Sequence, residues 1–282
     1  NVPSFDGELE NAGGKSNAWT SPDFTNFYDT LPAQNIATAF HIESDRMLAL
    51  DFSERSLEVQ RGVVIEEFKQ TCLNRPYGDI SHHLRRLAYA ESHPYAWPTI
   101  GLEPEHIASV TLDDVKSWFY SHYAPDNAIL SVSGRVEFDR AAELAERWFA
   151  DIPRRNIQPR RIPAPGFPRE SIVETVYGRV PQPMVVMAFP MDSYGTERYY
   201  AADTVTDLLA AGRASRFVRR LVYGPAEGIF ASADASIIGS EHEGLLLLTA
   251  RVADNDDSTI SRACELLLAE ARAIADPANI GA

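Results

Sequence analysis

Between Asp151 and Pro168 five prolines, Pro153, Pro159, Pro163, Pro165 and Pro168, alternate with basic residues. Each proline lacks a backbone N–H and fixes its own φ, so neither a continuous helix nor a strand ladder runs through such a stretch. A chain interrupted in this way builds its cores on either side, and 282 residues suffice for two. The sequence therefore predicts an N-terminal domain over 1–150, a linker over 151–168 and a second domain over 169–282.

Hydrophobic periodicity fills in each part. The first domain opens with an expected hairpin, Ser16–Thr20 and Asn26–Leu31 around Ser-Pro-Asp, followed by amphipathic helices near 33–50 and 55–71. A less regular stretch follows through 110. Thr111-Leu-Asp-Asp then reads as a capped helix start, with Val115, Trp118, Phe119 and His122 at helical spacing. A strand is expected over Ala128–Ser133 and a helix over 137–150, with Ala141, Leu144, Ala145 and Trp148 on one apolar face. Beyond the linker the expected order is strands 172–177 and 184–189, helices 197–211 and 213–222, strands 229–237 and 244–252, and helix 257–275. Strand pairs followed by helices define the expected fold class: α+β, two similar domains, each an antiparallel-rich sheet with helices packed on one face.

Composition narrows the function. Lys+Arg 26 against Asp+Glu 40 gives a net charge of −14, which opposes the counterion-release binding that dominates affinity for nucleic acid. Apolar runs such as Gly244–Leu248 fall far short of the ~18 residues of a spanning helix, so no transmembrane segment is expected. Cys72 and Cys264 form no metal-knuckle or redox spacing. Asn1 to Glu10 shows no targeting pattern, which leaves the compartment open.

Three features could carry chemistry. In the helix at 55–71, Glu66 and Glu67 are adjacent and point about 100° apart. Glu67, with Val63 and Val64 at i−4 and i−3, is the better placed to project from an apolar stripe, where a carboxylate is costly unless paired or metal-bound. The alternative is that Glu67 sits at the edge of the stripe and reaches solvent. Gly13-Gly14 precedes the short polar strand Ser16-Asn17-Ala18-Trp19-Thr20. Glycines there supply positive φ or close backbone approach, and an edge strand would offer free N–H and C=O groups to an extended peptide. The pair could equally be a simple turn. A third cluster, His82, His83, Glu91 and His93, has zinc-ligand residue types. It lacks the i, i+4 His pair, and His93-Pro94 marks a helix end. Gly224-Pro225-Ala226-Glu227-Gly228 reads as a turn. No phosphate-cradling loop, dinucleotide fingerprint or GxSxG elbow occurs.

Five segments together resemble the pitrilysin/insulinase family of zinc metallopeptidases, the inverted HxxEH zincins. They are Asn11-Ala-Gly-Gly-Lys-Ser-Asn-Ala-Trp-Thr-Ser21, Arg61-Gly-Val-Val-Ile-Glu-Glu67, His93-Pro-Tyr-Ala-Trp-Pro-Thr-Ile-Gly101, Phe119-Tyr-Ser-His-Tyr-Ala-Pro-Asp-Asn-Ala128 leading to Gly134, and Gly212-Arg-Ala-Ser-Arg-Phe217. They follow the family's order and span nearly the whole chain. The resemblance implies a zinc held by the two histidines of HxxEH and by a glutamate about 75 residues further on, which falls on Glu67. Gln60 stands where the family often has a helper glutamate. The resemblance further implies that Ser16, Asn17, Ala18 and Trp19 form the substrate-binding edge, and that the substrate is a peptide or unfolded polypeptide.

HxxEH does not occur among these residues: no two of the seven histidines are four apart with glutamate beside the second. Counting back from Glu67 places the motif just ahead of Asn1, and both ends read as clipped. The family's intermediate-stabilising Arg and Tyr are also missing from their place, Leu221-Val222 through Ile229, so a complementary half or partner subunit is expected to supply them. The expectation is a zinc-dependent endopeptidase by family, with no catalytic residue and no tightly bound zinc in the 282 residues alone. The alternative is a non-catalytic structural or partner subunit of the same fold. A remote third is an unrelated peptide-binding module.

Overall fold

The computed structural model describes residues 5–226, 228–276 and 278. These form an α+β protein of two compact units, one from the described residues of 5–70 and 99–162 and the other from those of 71–98 and 163–278. Residues 71–98 therefore cluster with the C-terminal half of the chain.

The first unit begins with α1 (Phe5–Asn11) and the hairpin β1 (Lys15–Thr20) and β2 (Thr25–Thr30), paired antiparallel with Asn17 opposite Tyr28 and Ala18 opposite Phe27. Both glycines before β1 are required. Gly13 has φ +75, and a Cβ on Gly14 would lie 2.9 Å from Leu31 and Leu9 side-chain carbons. Two helices follow, α2 (Ile36–Leu48) and α3 (Glu54–Phe68). The Ser53 hydroxyl caps α3 by accepting from the Ser56 N–H.

Helix α4 (Ile80–Ala88) belongs to the second unit, and the short α5 (Pro104–Ser109) returns the chain to the first. Helix α6 (Leu112–His122) opens with the expected cap, a reciprocal capping box between Thr111 and Asp114. Helix α7 (Phe138–Phe149) buries Leu144 and packs against α2, with Phe149 on Phe40 and Trp148 on His41.

Residues 153–168 carry no regular element. Their start is fastened to α6: Arg155 donates to the Tyr123 carbonyl at 2.6 Å and lies 4.5 Å from the Tyr120 ring centroid. The Arg155 and Ile157 amides donate to the Asp126 carboxylate.

The second unit holds β3 (Met184–Met191), α8 (Glu197–Ala210), β4 (Phe230–Ile238), β5 (Gly244–Val252) and α9 (Asp257–Ala273). The sheet order is β3-β5-β4, antiparallel throughout, with an irregularity between Phe230 and Ser232. Successive residues of β5 point to opposite faces. Leu248, Ala250 and Val252 pack with Leu209 of α8 and Ala263 and Leu267 of α9, while Leu245 and Leu247 meet Tyr89, Tyr95 and Ala96. Cover on both faces explains why this central strand is almost wholly apolar. Glu270 of α9 reaches back to Arg216 at 2.7 Å, both nearly buried.

Two sequence expectations fail and a third is shortened. Ala128–Ser133 and 172–177 are not strands: neither joins a ladder, and Ile129 is 97% exposed, Val173 90% and Tyr177 93%. Alternating β-branched residues signal a capacity to pair, and a strand forms only where a neighbour closes the hydrogen bonds. The helix expected over 213–222 starts later, at Arg216, and ends in a π-helical turn, Val218–Val222, closed by the Tyr223 amide on the Val218 carbonyl. A Cβ on Gly224 would meet the Arg219 and Arg220 carbonyls, so the chain turns tightly there. Glu227, in the turn expected over 224–228, lies outside the described residues.

Candidate functional site

Helix α3 has two differently placed apolar seams. Leu57, Arg61, Val64 and Phe68 recur at helical spacing and are shielded, with Phe68 buried and Arg61 donating to the Val110 carbonyl at 2.6 Å. On another face Val59, Gly62, Val63, Glu66, Glu67 and Gln70 line a shallow open depression. Val59 is 57% exposed and Val63 56%. Glu67 therefore shares its face with Val63, not Val64, and of the two placements the sequence leaves open the solvent-facing one is found. Glu66 is tied to Lys69 at 2.6 Å. Gln60, at the helper position, is exposed. A sharper reading of the sequence would have separated Val59 and Val63, an i, i+4 pair, from the Val64 and Phe68 seam.

Among the described residues strand β1 pairs with β2 on one side only, and no strand takes its other edge. The Ala18 N–H does not serve the ladder; it donates to its neighbour's Asn17 Oδ1 at 2.8 Å. Ser16 is half-buried, and Asn17, Ala18 and Trp19 are exposed, with Trp19 edge-on to Phe24 at 5.0 Å. The Ser16–Trp19 set and Glu67 thus all lie in the first unit.

The histidine cluster comes apart. His93 is fully buried, stacks on Tyr89 at 5.2 Å, and accepts the Tyr95 amide as the cap of a short 3-10 turn. His83 lies 3.5 Å from Asp79 and 3.6 Å from Glu174, which also takes two bonds from Arg86. Among the described residues no group of three His, Cys, Asp or Glu side chains is placed to hold a metal. Catalytic zinc takes three protein ligands. No helix among the described residues is long and apolar enough to cross a membrane.

This architecture is that of a peptidase family. The model described as Peptidase M16 inactive domain matches residues 109–278, and that described as Insulinase (Peptidase family M16) matches residues 2–96. The chain belongs to the peptidase M16 family, the pitrilysin/insulinase peptidases. Zinc protease PqqE of Helicobacter pylori is 28% identical over 223 residues, covering 77% of this chain and 49% of its own length. Mitochondrial-processing peptidase subunit beta of Caenorhabditis elegans is 24% identical over 163 residues, 58% of this chain and 35% of its own. The chain thus spans about half the length, or less, of these curated relatives. Among solved structures, a protease from Helicobacter pylori superposes with TM-score 0.79 at 25% identity, covering 94% of this chain and 63% of that one. A peptidase M16 inactive domain from Pseudomonas fluorescens does so with TM-score 0.82 at 18% identity, covering 96% and 65%, a likeness of fold alone.

Proposed function

We propose that this chain is part of a zinc-dependent endopeptidase, in which α3 contributes Glu67 as one metal ligand and β1 holds the peptide. The observation that carries the reading is the open face of α3: a carboxylate set beside two valines that are each more than half exposed. Solvent-facing apolar residues around one carboxylate suit a helix that is covered by another element when the site is complete. The two remaining ligands, the histidines of HxxEH, would come from residues other than these 282. The intermediate-stabilising Arg and Tyr would come from a complementary half or partner subunit, consistent with PqqE and the mitochondrial-processing subunit being longer proteins. Alone, the 282 residues are proposed to cut nothing.

The role of β1 follows from its open edge. An extended peptide laid antiparallel along Ser16–Trp19 would pair with backbone groups that β2 does not use, and alternate side chains would read the guest. Binding through backbone groups suits a substrate class defined by extension, a peptide or unfolded polypeptide, more than by one side chain.

The second reading, a non-catalytic partner subunit, is favoured by the inactive-domain model covering residues 109–278. Peptide hydrolysis separates the two. A polypeptide joining these residues to an HxxEH segment should cleave an extended peptide, whereas a partner subunit should not.

The edge assignment has its own test in Ala18→Pro. The Ala18 N–H points away from the ladder, so proline removes no β1–β2 bond, and proline is tolerated on an edge. Losing one net hydrogen bond of about 0.5–1.5 kcal/mol should weaken peptide affinity roughly 2- to 13-fold. Asn17→Ala, which frees that N–H from its side-chain acceptor, should not weaken binding. Unaltered affinity in an Ala18→Pro protein with native circular dichroism would reject the edge.

A further inference from the structure

Two acidic side chains meet between β2 and α2. Phe27 and Asp29 are two residues apart on β2 and so share one face. Glu43 and Arg46 are neighbours one turn apart on α2. The Arg46 guanidinium lies 4.5 Å from the Phe27 ring centroid and 3.1 Å from Glu43 Oε1. Both Asp29 carboxyl oxygens and Glu43 Oε1 are sealed from solvent, and no hydrogen-bond donor among the described residues reaches them in bonding geometry. Ionised carboxylates only accept hydrogen bonds. A hydrogen bond between the two groups therefore exists only when one of them keeps its proton.

We infer that Asp29 and Glu43 share one proton, and that this O–H···O bond is a latch holding the β1–β2 hairpin to α2 in mildly acid solution and releasing it in alkaline solution. The charges around the pair agree. Burial pushes the Glu43 carboxyl up to about 7 against the pull of Arg46, and the Asp29 charge and hydrogen bond add to the push. Of the other elements packed on α2, the turn Ala33–Asn35 carries no charged residue, and α7 brings Arg147 over the Trp148 ring. Helix α7 meets α2 through Trp148 on His41 and Phe149 on Phe40, and α1 carries Glu8 and Glu10, neither of which acts on Glu43.

The sign follows from proton counting. A carboxyl raised in the folded state binds more protons there than in the unfolded chain. Its contribution is full below the ordinary glutamate range and is lost as pH rises through about 7. The consequence is local, because the latch joins a two-stranded hairpin, a marginal structure by itself, to the helix beneath it. The inference concerns the hairpin's attachment and stands whether or not β1 binds a peptide.

Hydrogen exchange of the β1 and β2 amides, corrected for intrinsic rates, tests it at pH 6 and pH 8.5 in the whole chain. Wild-type protection should fall about tenfold, the change expected over the one pH unit between pH 6 and the titration point near 7, and level off above it. Glu43→Gln carries a permanent N–H donor and should show no such fall. Asp29→Asn provides the same comparison if Glu43→Gln does not fold. A carboxyl 13C titration of the wild-type protein reads the proton directly and should show one carboxyl titrating near neutrality. Equal pH responses in wild type and a folded variant would overturn the latch, as would every carboxyl ionising below pH 6. Recovery of protection at pH 8.5 on adding calcium or zinc would also overturn it, since a cation and not a proton would then bridge the pair.

Discussion

Glu67→Gln is expected to abolish zinc-dependent hydrolysis in the polypeptide that joins these residues to an HxxEH segment, while leaving the fold unchanged. Glutamine keeps the size of the side chain but loses the anionic oxygen that a zinc ion requires. Losing even an outer-shell partner costs about 10–100-fold in metal affinity or activity, so loss of a ligand should exceed about 100-fold. Glu67 is exposed, and glutamine keeps its size, so thermal stability should hold. Glu66→Gln is the internal control. That neighbour belongs to a surface ion pair with Lys69, and its replacement should leave zinc content and turnover where they were. Metal analysis of the 282 residues alone should find substoichiometric zinc. Full activity in Glu67→Gln, or an equal loss in Glu66→Gln, would reject Glu67 as the ligand.

The second large effect is structural. Glu270→Ala should destabilise the second unit by up to about 3–5 kcal/mol, the cost of breaking a buried ion pair by removing one partner. Arg216 is 9% exposed and Glu270 17%, at 2.7 Å, and the truncation leaves Arg216 beside the core that holds Phe217 and Leu221. Arg220, 3.6 Å from the same carboxylate but half exposed, loses little because water screens it. A double variant, Arg216→Met with Glu270→Leu, should recover most of the loss, since apolar replacement of both partners is often neutral or better. Denaturant dependence of amide exchange in β4 and β5 isolates this unit from the other. A shift in the single variant equal to that of the double would show that the ion pair is not what holds α9.

The parts legible in the sequence were those whose cause is local. A Thr-Leu-Asp-Asp start produces a capping box by itself, and the β1–β2 hairpin is carried by two glycines, one needing positive φ and the other close packing. The central run Gly244–Val252 needed no context either, because burial on both faces leaves few polar residues to confuse the pattern. Where a partner decides the outcome, pattern alone misled. Ala128–Ser133 has strand character and no ladder, and α4 was hidden by His82, His83, Arg85 and Arg86, although Ile80, Leu84 and Leu87 keep helical spacing. Arg85 shows why composition deceived. It is buried, donating to the Tyr95 carbonyl at 3.2 Å, a contact made ten residues away. The face on which Glu67 lies was not legible, because Val63 and Val64 both lie within one turn of it. The Asp29 and Glu43 pair had no signal at all, since nothing in β2 announces which helix will cover it.

The two extended segments that join no sheet also bear on how the molecule behaves in bulk solution. Ile129, Val173 and Tyr177 stand almost fully in water on backbone with unused pairing capacity, the kind of stretch that templates cross-strand aggregation between molecules. Against this stands a net charge of −14, whose mutual repulsion keeps copies apart over about 10 Å at 0.1 M salt and over only about 3 Å at 1 M. Colloidal stability of this chain is therefore a contest between exposed strand-forming backbone and long-range charge, and ionic strength decides it.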